Sequence, residues 1–350
     1  MPFFFELSRR EVEEGEKRSV PTPAEAVDME PGAPTGAALD SIPFSVVIPT
    51  YQRAALLGRA IDSALAQTVT PAEIVVIDDG STDKTAEVVA RYGDLIRYVH
   101  QANAGCSAAR NRGVQEAAST WVAFLDSDDA WLPGHLEAMA DAIAATSGRA
   151  DLYFADSSFP TPDGGAPRTL WGLSDFDIPG ELAFTDDGSD WVMRPRQPMK
   201  LQCSVFRRDV YLRDGGLDEA LRTREDTHFF LRVGLGGPLC AVRNGGVVIS
   251  FDDAPSNRLT TALPPSGRTY LEATVRLYGR ILRTRPGGSL SGEHRRELRS
   301  RLGAGLLRLA KRDLFEWKPH LCAWHALRSG VTAPWLFGPL LLRKFRRLLP

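Results

Sequence analysis

The chain has 350 residues, of which 43% are hydrophobic and 25% are charged, so it can bury a sizeable core. Residues 268–350 hold 18 Lys+Arg and 5 Asp+Glu, a net of +13, which leaves -15 for residues 1–267 within the total of -2. The four cysteines are scattered without zinc-site spacing, and no run of 18 apolar residues occurs, which argues against a zinc site and a spanning helix.

Residues 1–42 are rich in Glu, Pro, Ala and Gly and lack steady periodicity, so we expect a poorly ordered N-terminal extension. The apolar stretch at residues 3–5 is too short for a signal peptide, and we expect a cytoplasmic protein.

From Phe44 onward, short apolar runs alternate with segments of helical spacing. This alternation is typical of a parallel sheet wrapped by helices, which binds its ligands at the edge formed by the carboxyl ends of the strands. The predicted elements are strand 45–48, helix 56–65, strand 74–77, a helix from near 84, strand 96–99, helix 104–117, strand 122–125, helix 133–144 and strand 152–155.

The regular pattern breaks over residues 157–198, which contain many Pro, Gly and Asp residues. So long an irregular stretch within a domain is usually functional or mobile, and we expect it to shape a binding site. Strands are predicted again at 201–206 and 247–251. From Arg268 the composition favours helices, with breaks at 286–288, Pro319, Pro334 and Pro339.

The apolar run 122–125 ends on three carboxylates, Asp126, Asp128 and Asp129. Acids so close together repel one another unless a positive charge, most simply a divalent cation, lies between them. Oxygen ligands suit Mg²⁺ or Mn²⁺ better than zinc. The pattern therefore predicts a metal at the carboxyl edge of the sheet, and with it a substrate that carries phosphate.

Four motifs occur in a consistent order, at residues 46–51, 77–81, 124–129 and 225–226. Together they resemble the inverting family 2 glycosyltransferases, which have the nucleotide-sugar-binding GT-A fold. Segments 105–111 and 215–219 also resemble parts of that family, and the resemblance covers about residues 44–235. Gln52 and Leu217 depart from the family, which often has Asn and Phe there, but neither change removes a group that the chemistry needs.

The resemblance implies an α/β protein with the GT-A nucleotide-diphospho-sugar transferase fold and a mostly parallel central sheet flanked by helices. The composition from Arg268 adds a helical C-terminal extension. We therefore divide the chain into a GT-A catalytic domain at 43–260 and a helical basic C-terminal region at 261–350. Within the catalytic domain, residues 43–150 form the nucleotide-sugar-binding half and residues 151–260 the acceptor-binding half.

The resemblance also assigns roles to individual residues. Asp226 corresponds to the general base, Asp79 to the acid that binds the nucleobase, and Asp128, with Asp126, to the ligands of a Mn²⁺ or Mg²⁺ cofactor. The residues expected to bind the nucleotide sugar are Pro49, Tyr51, Arg53, Asp79, Arg110, Asp126, Ser127 and Asp128.

Each role has a structural alternative. Asp78 and Asp79 fit an Asx turn with Gly80, Arg110 fits a surface ion pair, and Tyr51 fits packing at the rim of a site. The acids Glu225 and Asp226 also suit the first turn of a helix, where they oppose the macrodipole.

The acceptor site is less defined by the sequence. Glu225 lies beside the expected base, and Trp171 and Trp191 offer flat faces on which a sugar could stack. Packing within the loop is the alternative for both tryptophans.

These features predict a metal-dependent inverting glycosyltransferase of the hexosyltransferase type. It would move a sugar from a nucleotide-diphosphate sugar, expected to be a UDP-sugar, to a hydroxyl of a saccharide, lipid-linked or other acceptor, as in polysaccharide biosynthesis. The processive members resemble one another in a Gln-x-x-Arg-Trp motif that is missing here, so we expect non-processive transfer. The alternative is a nucleotide-sugar-binding protein without turnover.

No nucleic-acid partner is indicated. The apolar and basic segment 335–350 either contacts an anionic membrane surface, which would make the protein peripheral to the cytoplasmic membrane, or packs on the protein or in a homo-oligomer.

Overall fold

The computed structural model describes residues 42–159, 165–249, 265–284 and 290–336. The predicted N-terminal extension lies outside the described residues except for Ile42, and so do the predicted break at 286–288 and nearly all of segment 335–350. The described residues fall into two compact units, which meet in sequence between Arg295 and Arg296.

The first unit is built around one mixed sheet. Its strands are β1 (Phe44–Thr50), β2 (Glu73–Asp78), β3 (Arg97–His100), β4 (Trp121–Phe124), β5 (Ala130–Trp131), β6 (Leu152–Phe159), β7 (Arg168–Thr169), β8 (Leu182–Thr185), β9 (Ser204–Arg207) and β10 (Leu239–Val248). Its helices are α1 (Leu57–Leu65), α2 (Thr85–Ala90), α3 (Cys106–Glu116), α4 (His135–Ala145), α5 (Leu170–Ser174), α6 (Ser189–Val192), α7 (Arg208–Arg213), α8 (Glu225–Gly234) and α9 (Arg268–Thr284).

The strand order is β3-β2-β1-β4-β9-β6-β10-β5, with β7 paired to β6 and β8 paired to β10. The pairs among β3, β2, β1 and β4 are parallel, as is the pair of β6 with β10. Strand β9 separates these two parallel groups and runs antiparallel to both of its neighbours, β4 and β6.

Strands β1, β2 and β4 form the centre of the parallel group and are buried almost throughout. Their continuous apolar runs allow this, because helices cover a parallel sheet on both faces. The register aligns Thr50 at the end of β1 with Asp78 at the end of β2, and Val47 accepts a hydrogen bond of 3.0 Å from the amide of Leu125 just after β4. The residues that follow these strands therefore emerge along one edge of the sheet.

The stretch 157–198 is more regular than its composition suggests, since it contains the end of β6 and the short elements β7, α5, β8 and α6. Residues 160–164 lie outside the described part. Strand β10 begins eight residues before the predicted strand 247–251, and its pairing with β6 shifts register between Val242 and Gly246. Arg243 and Asn244 interrupt the apolar sequence at this irregularity, so the sequence pattern did not indicate the first half of the strand.

The second unit contains most of α10 (Gly292–Phe315), α11 (Pro319–Thr332) and a 3-10 turn at Pro334–Leu336. Pro319, predicted as a break, begins α11. A backbone N–H in the first turn of a helix has no intrahelical partner, so proline, which lacks that N–H, is tolerated there. Helix α9, at 268–284, belongs to the first unit. Among the residues that the structure describes, none of the helices combines the length and the apolar character needed to cross a bilayer.

Candidate active site

Three carboxylates gather directly after β4. Asp126, Asp128 and Asp129 each place an oxygen atom within 4.8 Å of the others, and the amide of Asp129 closes a turn on the carbonyl of Asp126 at 3.0 Å. Carboxylate oxygens at this spacing suit a hard divalent cation such as Mg²⁺ or Mn²⁺. The donor set therefore fits the metal predicted from the sequence.

Two residues that the sequence did not single out hold this turn in place. Arg59 on α1 donates to the carbonyl of Asp128 at 2.6 Å, and the Gln202 side chain donates to the buried carboxylate of Asp129 at 2.9 Å. The carbonyl of Gln202 in turn accepts from the indole of Trp131 at 2.8 Å. These partners lie about 70 residues away in the chain, so no local sequence motif indicates them.

Arg110 connects the carboxylate cluster to α8. Its guanidinium lies 2.5 Å from Asp126 and 3.5 Å from Glu225, and it is almost completely buried. Burial alone would lower the pKa of Arg110, but the neighbouring charges, Asp126 foremost, raise that pKa well above its usual range. The arginine is therefore a fixed positive charge that brings the start of α8 next to the cluster. The contacts of Arg110 seen in this structure are therefore ion pairs, as the structural alternative expected, but they are buried rather than on the surface.

Glu225 and Asp226 open α8 on a backbone in an unusual conformation. Arg224, the residue before them, has a left-handed φ of 65°. Its guanidinium donates to Thr274 at 2.8 Å and to Tyr278 at 3.2 Å, both on α9. A non-glycine residue keeps this conformation only where its surroundings enforce it. Helix α9 thus fixes the turn that presents the two acids, a contact that the sequence did not reveal.

The two acids of α8 have different surroundings. Burial, followed by the nearby charge of Asp226, raises the pKa of Glu225 to about 7. Asp226 is half-buried, and its carboxylate accepts a 2.5 Å hydrogen bond from the amide of Thr227. This bond satisfies one of the first amides of the helix, as the capping alternative expects.

Asp78 and Asp79, at the end of β2, both bind the protein itself. Asp78 accepts from the amide of Ser81 at 2.8 Å and from Tyr98 at 2.6 Å, which fits the turn role. Asp79 is buried and bonds the loop that leads into α3, accepting from the side chain of Gln101 and from the amides of residues 104 and 105 at 2.7–2.9 Å.

The remaining residues predicted on the donor side follow β1 and β4. Pro49 is buried near the end of β1, and Tyr51, the first residue after β1, is exposed. Arg53 lines a cavity of about 310 Å³ together with Asp83 and Lys84. Ser127 is buried inside the acidic turn.

The two predicted acceptor-side tryptophans belong to one aromatic cluster. Trp171 is buried, and its indole donates to the carbonyl of Pro198 at 2.9 Å. The rings of Trp171 and Trp191 both meet Phe154 and Phe176 edge-on, with centroids 5.0–6.1 Å apart. Packing of the 157–198 segment therefore accounts for the contacts of Trp171, while Trp191 is partly accessible.

His228, the fourth residue of α8, is buried. Burial lowers its pKa to about 4, so the ring is neutral at pH 7.

Comparison with known proteins gives consistent matches to this region. The family model for glycosyl transferase family 2 matches residues 45–194. The glycosyltransferase YwdF of Bacillus subtilis is 30% identical over 242 residues, which is 67% of this chain and 84% of YwdF. Seven further relatives named as glycosyltransferases, from Rickettsia species, Escherichia coli and Nostoc, match at 38–44% identity, and the matches span 14–36% of their length.

Solved structures share the fold at low sequence identity. TarS 1-349 of S. aureus in complex with UDP-GlcNAc superposes with a TM-score of 0.58 at 20% identity, covering 77% of this chain and 73% of TarS 1-349. The mannosyltransferase PcManGT of Pyrobaculum calidifontis, in complex with GDP-Man and Mn²⁺, gives 0.52 at 18% identity, covering 88% and 81%. These likenesses confirm the predicted fold.

Proposed function

We propose that this chain, which belongs to glycosyl transferase family 2, transfers a sugar from a nucleotide-diphosphate sugar to a hydroxyl group, inverting the anomeric carbon. The observation that carries the proposal is the buried Arg110, which pairs with Asp126 after β4 and with Glu225, the first residue of α8. The arginine thus links the proposed cation site to the residue next to the candidate base, Asp226.

The acidic turn would hold the cation. Asp128 and Asp126 are the proposed ligands, with Asp129 beside them and Mn²⁺ or Mg²⁺ as the metal. When bound, the metal neutralises charge on the departing nucleoside diphosphate. The Mn²⁺ in the complex of PcManGT supports this choice of ion.

Arg110 has a separate role in this scheme. In the ligand-free chain it balances Asp126 and Glu225, both of which are largely shielded from water. A permanently charged guanidinium so close to the acids also attracts phosphate, which it can bind with two hydrogen bonds.

Asp226 is the proposed general base. The acceptor hydroxyl must lose a proton as it attacks the anomeric carbon, and a positioned carboxylate contributes about 10²–10⁴-fold to such a step. Burial raises the pKa of Glu225 to about 7, so near neutral pH this group is only partly ionised and adds less negative charge beside the base than an ordinary carboxylate. The αL turn at Arg224 aims both side chains.

The donor is proposed to be a UDP-sugar, as in the TarS complex, with Tyr51 stacking on the base and Asp79 accepting from it. Pro49, Arg53 and Ser127 would border the same site. The acceptor is proposed to be a saccharide or lipid-linked hydroxyl on the side of Glu225, Trp171 and Trp191, with transfer that is not processive.

A screen of sugar nucleotides by thermal shift, with and without Mn²⁺, identifies the donor, and release of nucleoside diphosphate then measures turnover. Asp226→Asn should keep donor binding and lower turnover at least about a hundredfold. The matched control is Asp209→Asn, which removes a first-turn acid from α7, away from the cluster, and should leave turnover unchanged. Near-normal turnover in Asp226→Asn would remove the base assignment.

The alternative is a protein that binds nucleotide sugars without turnover. Calorimetric binding of a donor, together with no release of nucleoside diphosphate across a broad acceptor screen, would favour that alternative.

A further inference from the structure

Helix α11, in the unit that contains residues 296–336, presents its polar side to the protein. Ser329 is fully buried and donates to the carbonyl of Gly303 at 2.9 Å. His325 lies 2.6 Å from the buried carboxylate of Asp313. A Cβ added at Gly303 would come within 2.8 Å of the Cβ of Ala333, so α10 and the end of α11 are in close contact. These contacts set the rotation of α11 about its axis.

The same rotation turns the apolar residues of α11 outward. Trp324, Leu327 and Val331 recur at helical spacing on one side, with 55%, 64% and 78% of their surfaces exposed. Phe315, the last residue of α10, and Trp317, between α10 and α11, are 61% and 92% exposed. We call these five side chains the outer face of α11. A surface helix normally buries such a stripe, so its exposure points to a surface on which the helix docks.

The surrounding sequence is positively charged. Residues 316–350 include six basic residues and one acidic residue, Glu316, which pairs with Lys318 at 2.8 Å; the basic residues are Lys318, Arg328, Arg343, Lys344, Arg346 and Arg347, of which the last four lie outside the described residues. Arg328 lies on α11 itself, with its guanidinium 5.8 Å from the centre of the Trp324 ring. Tryptophan and leucine beside lysine and arginine is the composition of helices that lie in the headgroup region of anionic membranes.

We propose that the outer face of α11 docks on the surface of an anionic lipid bilayer. The exposed tryptophans would enter the boundary between headgroups and acyl chains, while Arg328 would contact lipid phosphates. A two-fold contact between two copies of this face is less favourable. Such an interface brings the same surface of both copies together, so their positive charges would repel one another. This inference does not depend on the proposed enzymatic activity.

Sedimentation of the full chain with vesicles tests the proposal. Vesicles of phosphatidylcholine mixed with phosphatidylglycerol should bind the chain, and vesicles of phosphatidylcholine alone should bind it much less. The double variant Trp324→Gln, Leu327→Gln should bind at least about tenfold more weakly, because two apolar side chains no longer leave water. Leu95→Gln is the matched control, since Leu95 is 65% exposed on the other unit, and it should bind like the wild type.

Two further readouts identify the contact. Arg328→Gln should weaken binding about fivefold, and added salt should weaken it further. Acyl chains that carry bromine should quench part of the tryptophan fluorescence, and Trp324→Phe should reduce the quenched fraction. All substituted positions on α11 are exposed, so thermal unfolding should not change and lost binding cannot be attributed to unfolding.

Three results would overturn the proposal. The first is no binding of the wild type to the anionic vesicles. The second is unchanged binding of the double variant, which would assign the contact to another segment such as 337–350. The third is a wild-type dimer in sedimentation equilibrium that the double variant dissociates, without vesicle binding, which would make the outer face a contact between copies of this chain.

Discussion

Gly113 lies where α3 crosses β1, and the structure leaves no room there for a methyl group. A Cβ at residue 113 would lie 2.2 Å from one methyl carbon of Val47 and 3.3 Å from a side-chain carbon of Ile77. Both neighbours are fully buried in the central strands β1 and β2. Gly113→Ala must therefore displace α3 or distort the core beneath it, because a close-packed interior has no free volume to absorb the change.

The expected cost can be estimated from two opposing effects. Separating the new methyl group from Val47 to an ordinary contact requires a shift of about 1 Å, and overpacking of this kind costs about 1–3 kcal/mol. Alanine is the better helix former by about 1 kcal/mol, which offsets part of the loss. These two effects leave a fall of about 0–2 kcal/mol in the free energy of unfolding, and the 2.2 Å approach to Val47 favours the upper end of that range. Arg110 lies one turn earlier on α3, so its contact with Asp126, and with it turnover, should also suffer.

Urea unfolding measures this change. Gly279→Ala, in the interior of α9, is the matched control, because its nearest neighbour at 3.4 Å is the flexible end of Arg283, and it should leave stability equal or higher. Adding Val47→Ala to Gly113→Ala removes the clash, so the double variant should lose at least about 1 kcal/mol less than the sum of the single losses. If Gly113→Ala were as stable as Gly279→Ala, the close approach of α3 to β1 would be refuted.

Three further predictions concern the cluster itself. Asp128→Asn should weaken Mn²⁺-supported binding of UDP in calorimetry and leave thermal unfolding nearly unchanged. If the variant bound UDP with the wild-type affinity, Asp128 would be excluded as a ligand of the metal. Arg224→Met removes the bonds to Thr274 and Tyr278, so turnover should fall while UDP affinity holds, with about 1–2 kcal/mol lost in urea unfolding; unchanged turnover would show that α9 does not position the acids. The raised pKa of Glu225 means that the native chain keeps a proton there that the unfolded chain releases, so the contribution of this group to stability should fall as the pH rises from about 4.5 to about 7. The lowered pKa of His228 acts in the opposite direction over part of that range, so the quantity to measure is the difference in unfolding free energy between the wild type and Glu225→Gln. That difference should change with pH in this window, whereas the difference for Glu87→Gln, on an exposed part of α2, should stay constant. A constant difference for Glu225→Gln would contradict the burial argument.

The parallel part of the fold could be predicted from the sequence because its signals are local. Uninterrupted apolar runs mark β1, β2 and β4 as strands buried on both faces, and the alternation with helices fixes their direction. The acids after β4 follow a strand end, so their position at the sheet edge follows as well. Pairing between distant segments could not be predicted in this way. The antiparallel strand β9 enters between β4 and β6, and no pattern within its four residues indicates these neighbours.

The same distinction applies to the candidate site. The acids and Arg110 belong to short motifs and could be recognised. Arg59, Gln202 and the α9 residue Thr274, which bonds Arg224, contact the site from remote segments. The sequence also predicted α11 as a helix without indicating which side faces the protein. That orientation depends on the contact of Ser329 with Gly303, which only the fold brings together.

The central claim is that the turn after β4 holds the cation of a nucleotide-sugar site. Crystals grown with UDP and Mn²⁺ and measured at the manganese absorption edge test it most directly. We expect an anomalous peak among the carboxylates of Asp126, Asp128 and Asp129, next to the two phosphates. Bound UDP with its manganese elsewhere, or with no peak at these carboxylates, would contradict it.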